Sequence, residues 1–122
     1  MGMNLTLLPL RGPQELNEIS VLCYDRLSLD SDNDIFGQLV DLGEGNKPTI
    51  NTNPIPPQMW VRVFEEGGIE KTREDGYGTV LTFVYAQQLK KLKVPDDASP
   101  KNKAIKAFVD ALPNDTPIIL QW

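Results

Sequence analysis

Apolar residues occur along the chain in short runs that glycine, proline and polar residues separate, a pattern typical of many short elements. Runs rich in β-branched, aromatic or leucine side chains predict strands. The predicted strands cover residues 5–10, 60–64, 69–73, 79–85 and 118–120. Pro9 has no backbone N–H to donate, so the strand over 5–10 is predicted to lie at a sheet edge or to end there.

The run at 60–64 alternates in the way that strands do. Trp60, Arg62 and Phe64 fall on one face, and Val61 and Val63 fall on the other. The glycines at the end of the segment 65–68 are typical of a hairpin turn. The two runs on either side of it are therefore predicted to pair.

Helical spacing of apolar residues, with capping residues in front, predicts four helices. The clearest follows Ser99-Pro100, in which serine caps the helix and proline takes its first position. Shorter helices are predicted over 13–24, 33–40 and 86–93, the second of them capped by Asp32 or Asn33. For the first, a strand over 19–24 is the competing interpretation, and we favour the helix.

Strands joined by hairpins and interrupted by helices indicate an α+β fold. We expect one domain over residues 1–122, with a mixed or antiparallel sheet of about five strands and three or four short helices packed on it. The segment 46–57 contains four prolines and three asparagines, so residues 43–57 are predicted to form a mobile loop. Met1-Gly2 is expected to be a cloning remnant ahead of a native Met3.

The chain contains no histidine and a single cysteine, Cys23. Histidine-dependent catalytic triads and zinc sites built from cysteine and histidine are therefore excluded. Cys23 lies in an apolar run and is expected to be a buried structural thiol. The low cysteine content favours a reducing compartment, so a cytoplasmic location is predicted. No apolar run approaches the ~20 residues that span a bilayer, so no membrane association is expected.

No catalytic, cofactor or metal site is predicted. Asp30-x-Asp32-x-Asp34 resembles the start of a calcium loop, but Ile35 and Asp41 stand where such a loop needs glycine and glutamate. We favour a protein without catalytic activity. A small enzyme that uses its carboxylates remains an alternative, and its candidate residues are Glu65, Glu66, Glu74, Asp75, Asp96 and Asp97, with Tyr77 and Tyr85.

The formal net charge is −5, and it is unevenly distributed. Residues 15–44 hold eight acidic residues and one arginine, whereas residues 90–106 hold six lysines and two aspartates. The acidic part suits a basic protein partner. The predicted partner-binding residues are Asp30, Asp32, Asp34, Pro54, Pro56, Met59 and Trp60.

Nucleic-acid binding is the alternative function, although the overall acidity disfavours it. Its predicted contacts are Lys90, Lys93, Lys101, Lys103 and Lys106. A homodimer is also compatible with the sequence, through an unpaired edge strand over 5–10.

Three segments together resemble small uncharacterised phage and prophage proteins. They are the D-x-F-x-x-L segment from Asp34 to Leu39, the segment Pro54-Ile55-Pro56-Pro57, and the stretch from Thr82-Phe83 to Leu89. The resemblance covers about a third of the chain and implies a bacterial or mobile-element origin, without implying an activity. Such proteins usually carry a histidine after the loop, which this chain lacks, so no site residue is carried over.

Overall fold

A computed structural model describes residues 4–10, 14–43, 45 and 47–122, and these residues form an α+β fold. Met1-Gly2 lies outside the described residues. The strands are β1 Leu5–Pro9, β2 Ser20–Cys23, β3 Leu27–Leu29, β4 Asn53–Pro54, β5 Trp60–Glu65, β6 Gly68–Thr72, β7 Thr82–Tyr85 and β8 Pro117–Gln121. The helices are α1 Asn33–Phe36, α2 Ala86–Leu89 and α3 Pro100–Asp110.

The strands form two sheets, where the sequence predicted one. A five-stranded sheet has the order β3-β1-β8-β7-β4, and every neighbouring pair in it is antiparallel. A three-stranded sheet has the order β2-β5-β6, with β2 parallel and β6 antiparallel to β5. The predicted hairpin of the second sheet is confirmed.

Two apolar cores divide the molecule into three layers. One core joins the helices to the five-stranded sheet and includes Leu7, Phe36 and Leu120. The other lies between the sheets and includes Leu8 and Ile119. Neighbouring residues of β1 and β8 thus enter opposite cores. The middle of the central sheet is buried on both faces, and β1 and β8 are for that reason largely apolar along their length.

The predicted helix over 13–24 is wrong, and the competing strand is present. Val21 and Cys23 are fully buried in the core between the sheets. Leu22 lies opposite Arg62 of β5 and has the other orientation. Burial of every second residue is the pattern of a strand. In this short segment, the spacing of the apolar residues fits the period of a helix as well as that of a strand. Residues 11–13 lie outside the described part of the chain.

The strand over 5–10 is not an edge strand. β1 lies between β3 and β8, so the prediction of a homodimer through this strand loses its basis. β3 pairs only with Leu5–Leu7, whereas Pro9 pairs with Ile118 on the other side. Pro9 therefore ends the strand beyond the reach of β3, where its missing N–H interrupts no β3 bond.

The helix caps agree with the sequence. The Ser99 side chain accepts the N–H of Asn102, and Pro100 is the first residue of α3. Asp32 caps α1 by accepting the N–H of Asp34 at 3.0 Å. Both α1 and α2 are single turns and so are shorter than predicted. No helix within the described ranges is long and apolar enough to cross a membrane.

Candidate functional site

The structure does not bring the predicted partner-binding residues together. The Asp30 backbone is bound to the side chain of Asn102 on α3, in the helix layer. Trp60 lies on β5, on the far side of both sheets. Packed sheets stand about 10 Å apart, so the acidic turn and Trp60 belong to opposite surfaces of the molecule.

In residues 54–59, called the proline-rich segment below, Ile55 and Met59 are buried and anchor the chain in the core between the sheets. Met59 is therefore not available as a contact, which corrects its place among the predicted partner-binding residues. Pro54 is exposed and Pro56 is half-buried. Pro54 is also in β4, which pairs with β7. The mobility of residues 43–57 stays a prediction, and residues 44 and 46 lie outside the described chain.

Arg73 joins this segment to the three-stranded sheet. Its Nε donates to the carbonyl of Met59 at 2.8 Å, and its Nη2 donates to the carbonyl of Pro56 at 3.2 Å. Its guanidinium carbon is 5.9 Å from the centre of the Trp60 ring. One side chain thus fixes the backbone before β5 and contacts the first aromatic residue of that strand.

The outer face of the three-stranded sheet carries a concentration of exposed aromatic and apolar side chains. Val61 and Val63 point into the core, so the alternate residues of β5 point outward. The exposed fractions are 39% for Trp60, 44% for Phe64, 61% for Tyr24 and 51% for Ile69. The Tyr24 and Phe64 rings contact each other, with centroids 5.6 Å apart.

Cations lie among these aromatic side chains. The Lys71 ammonium is 5.0 Å from the centre of the Trp60 ring, a distance typical of a cation–π contact. Arg62 lies between Trp60 and Phe64 on β5, and its Nε is buried without a hydrogen-bond partner among the described residues. We call Tyr24, Trp60, Arg62, Phe64, Ile69 and Lys71 the outer-sheet surface.

A groove adjoins the outer-sheet surface at Arg73. Its volume is about 690 Å³, and it lies between the proline-rich segment and the start of β7. Its lining includes Pro54, Pro56, Pro57, Arg73, Val80 and Phe83. Arg73 connects the groove to the outer-sheet surface, because it reaches both the carbonyl of Pro56 and the ring of Trp60. Arg73 was not among the residues predicted from the sequence, and a binding role of Pro54, Pro56 and Trp60 stays a prediction.

The predicted nucleic-acid contacts do not form one free basic patch. Lys90 donates to the Asn114 side chain at 2.7 Å, and Lys106 forms an ion pair with Asp110 at 2.7 Å. Lys103 donates to the carbonyl of Asp96. The other two, Lys93 and Lys101, are exposed. Three of the five cations thus have acceptors within the protein.

Most of the carboxylates named for the enzyme alternative lie on turns or loops, and Glu65 is the last residue of β5. Glu66, Glu74, Asp96 and Asp97 are exposed, and the side chain of Glu65 is outside the description. Asp75 is half-buried and accepts the N–H groups of Tyr77 and Thr79, at 2.8 and 3.1 Å, which is a turn role. In the described ranges, no group of three or more acidic or cysteine side chains is placed to hold a metal ion.

A cleft of about 730 Å³ lies between the segment 14–17 and the loop that follows α3. Tyr85, Glu15 and Asp115 line it, together with apolar residues, and none of the carboxylates named above does. Of the enzyme candidates, only Tyr85 faces this cleft.

Cys23 is fully buried in the core between the sheets, as expected for a structural thiol. Burial, with a smaller contribution from the charge of Asp25, raises the pKa of Cys23 from 9.0 to about 12. The thiol is therefore protonated at neutral pH, which makes it a poor nucleophile.

Comparison of this chain with family models, with curated proteins and with solved structures finds no match. The assignment of a site consequently depends on the geometry of the chain itself. The outer-sheet surface and the groove are the candidate site.

Proposed function

We propose that the protein is an accessory protein-interaction domain without catalytic activity, which binds a protein partner through the outer-sheet surface and the adjoining groove. One observation carries the proposal. Tyr24, Trp60, Phe64 and Ile69 are large apolar side chains that are all exposed on one face of one small sheet. Contiguous exposed apolar patches rimmed by polar residues mark interaction sites in soluble proteins.

The residue types agree with a protein interface. Tryptophan, tyrosine and arginine are the residues most enriched among those that dominate binding energy. Trp60, Tyr24 and Arg62 supply one of each, and Arg73 holds the backbone next to Trp60. The acidic turn at Asp30, Asp32 and Asp34 lies on the opposite surface and is not part of this proposal.

The charge of the surface indicates the chemistry of the partner. Arg62, Lys71 and Arg73 are cationic, and no acidic residue occupies an outward position of β2, β5 or β6. The chain as a whole carries −5. A complementary partner would thus present apolar side chains flanked by carboxylates.

The experiment compares capture from a lysate of the source cell by the wild-type chain and by the variants Trp60→Ala and Phe64→Ala, in low and high salt. Bound proteins are identified by mass spectrometry. We expect a stoichiometric partner whose affinity falls at least about 30-fold in Trp60→Ala, because truncation of a central aromatic residue removes about 2 kcal/mol or more.

Tyr77→Ala is the matched control, because Tyr77 is an aromatic residue with 64% exposure in a turn outside the outer-sheet surface. Circular dichroism checks that each variant is folded. A partner that Trp60→Ala and Phe64→Ala retain would refute this surface. Nucleic acid recovered only at low salt, and lost when Lys101, Lys103 and Lys106 become glutamate, would favour the alternative function.

A further inference from the structure

The edges of the two sheets differ in how far they are covered. In the five-stranded sheet, the edge strands β3 and β4 have three and two residues. In the three-stranded sheet, the β2 edge is covered by the side chain of Gln14. Its Nε2 donates to the carbonyl of Leu22 at 2.7 Å, and its Oε1 accepts the N–H of Leu22. A side-chain amide thus occupies the place of a neighbouring strand.

The β6 edge has no comparable cover among the described residues. β6 has five residues and pairs with β5 on one side in an unbroken register, and no described strand lies on its other side. Residues 68–71 are exposed, and the strand contains no proline. Lysine often protects an edge, but the Lys71 ammonium is folded over the Trp60 ring. Unpaired N–H and C=O groups along such an edge are a template for another strand.

We propose that β6 accepts an extended segment of the partner as a fourth strand of the three-stranded sheet. On the outer face, this segment carries an apolar and an acidic side chain two residues apart. The inference depends on the proposed function and specifies how the same surface binds its partner. Main-chain hydrogen bonds supply affinity in this binding mode, and alternate side chains supply specificity.

The side chains of β6 define this chemistry. Ile69 and Lys71 lie opposite Phe64 and Arg62 and share the outer face with them. Residues directly opposite each other on paired strands interact, and opposite charges or two apolar groups are favourable. The added strand therefore places its apolar residue beside Ile69 and its acidic residue beside Lys71.

A second copy of the chain fits this edge poorly. A symmetric antiparallel pair that keeps the outer faces together must have its axis at one residue of β6. An axis at Glu70 or Lys71 places that charge opposite itself, and an axis at Gly68 or Thr72 places Glu70 opposite another glutamate, all of which is destabilising. An axis at Ile69 places Lys71 opposite Gly67 of the turn, so the lysine gains no anionic neighbour. A different protein with an acidic strand is the better occupant.

The experiment uses the full ¹⁵N-labelled chain and a synthetic peptide, acetyl-Thr-Asp-Lys-Ile-Thr-Val-Thr-amide. In antiparallel register this peptide places its aspartate beside Lys71, its lysine beside Glu70 and its isoleucine beside Ile69. We expect a dissociation constant below about 1 mM. We also expect amide shifts and slower hydrogen exchange along β6. A peptide with N-methyl groups at two adjacent central residues should bind at least about tenfold more weakly, because it lacks main-chain donors.

Charge reversal tests the side-chain part of the proposal. Lys71→Glu should weaken binding of the aspartate peptide about fivefold, and a peptide with lysine in place of that aspartate should restore it. No binding at 1 mM, or binding that leaves the β6 amides unchanged, would overturn strand addition. So would a dimer of the chain alone that Ile69→Lys dissociates in sedimentation experiments. None of these results affects the capture experiment with Trp60→Ala. That experiment alone decides the proposed function, whatever the outcome for strand addition.

Discussion

Replacement of Arg73 by methionine tests the contact that assembles the candidate surface. Methionine retains much of the apolar stem of arginine and loses the guanidinium. Two carbonyls, those of Met59 and Pro56, lose a charged donor, at distances of 2.8 and 3.2 Å in the wild type. A hydrogen bond from a charged group contributes about 1.5 kcal/mol at the lower end of its range. The two bonds together would contribute about 3 kcal/mol. Because Arg73 is half-buried, water replaces part of this contribution, and we expect the free energy of unfolding to fall by about 2 kcal/mol.

Urea unfolding followed by circular dichroism measures this change in free energy. In thermal unfolding, we expect the melting temperature to fall by about 6 °C. Arg73→Lys is the matched control. It keeps a cation near Trp60 but has one ammonium in place of a fork, so it should lose about half as much. An Arg73→Met chain that unfolds within 0.5 kcal/mol of the wild type, with an unchanged denaturant dependence, would refute the role of these two bonds.

Three further perturbations test the core and the surface separately. Asn102→Ala removes the side-chain amide that accepts the N–H of Asp30 at 2.7 Å and donates to its carbonyl at 3.1 Å. In urea titrations, it should reduce the free energy of unfolding by about 2 kcal/mol. Cys23 has a pKa of 9.0 when unfolded and about 12 when folded. The unfolded chain therefore loses its proton first, and stability should fall by about 1.4 kcal/mol from neutral pH to pH 10, a fall that Cys23→Ala should lack. Phe64→Thr should reduce stability by less than about 1.5 kcal/mol, because Phe64 is 44% exposed and loses only its contacts with Tyr24 and Ile69; a larger loss in thermal unfolding would show that its ring supports the fold.

Elements with strong local signals could be predicted from the sequence. Ser99-Pro100 marks the start of α3, and the glycines at 67 and 68 mark the turn between β5 and β6. Both depend on residues close together in the chain. The Gly67 φ of +92° explains why glycine suits that turn.

The division into two sheets could not be predicted in the same way. β2 pairs with β5 across about forty residues of sequence, and no short-range pattern encodes a parallel pair. The strand over 5–10 was expected to lie at an edge or to end at Pro9, because proline is rare inside sheets, and only the second alternative is present. Its Pro9 is tolerated since β3 is short and ends its pairing at Leu7. Long-range pairing therefore decided both errors.

Half of the candidate surface was visible in the sequence. The alternation of Trp60, Arg62 and Phe64 on one face was noted, and Pro54 and Pro56 were named as contacts. Tyr24 and Arg73 were missed, because each reaches Trp60 or Phe64 only through the pairing of its strand with β5. The acidic turn was predicted as a partner contact from its charge alone, and charge does not indicate which surface of the fold a segment occupies.

The three-stranded sheet separates its structural role from its surface. Its inner side chains, Val21, Cys23, Val61 and Val63, complete the core against the five-stranded sheet. The fold therefore requires only these positions to be apolar, and small polar residues on the outer face would satisfy it equally. Aromatic side chains on that outer face expose apolar area to water without contributing to either core. The proposed partner would give these side chains the burial that the fold itself does not provide.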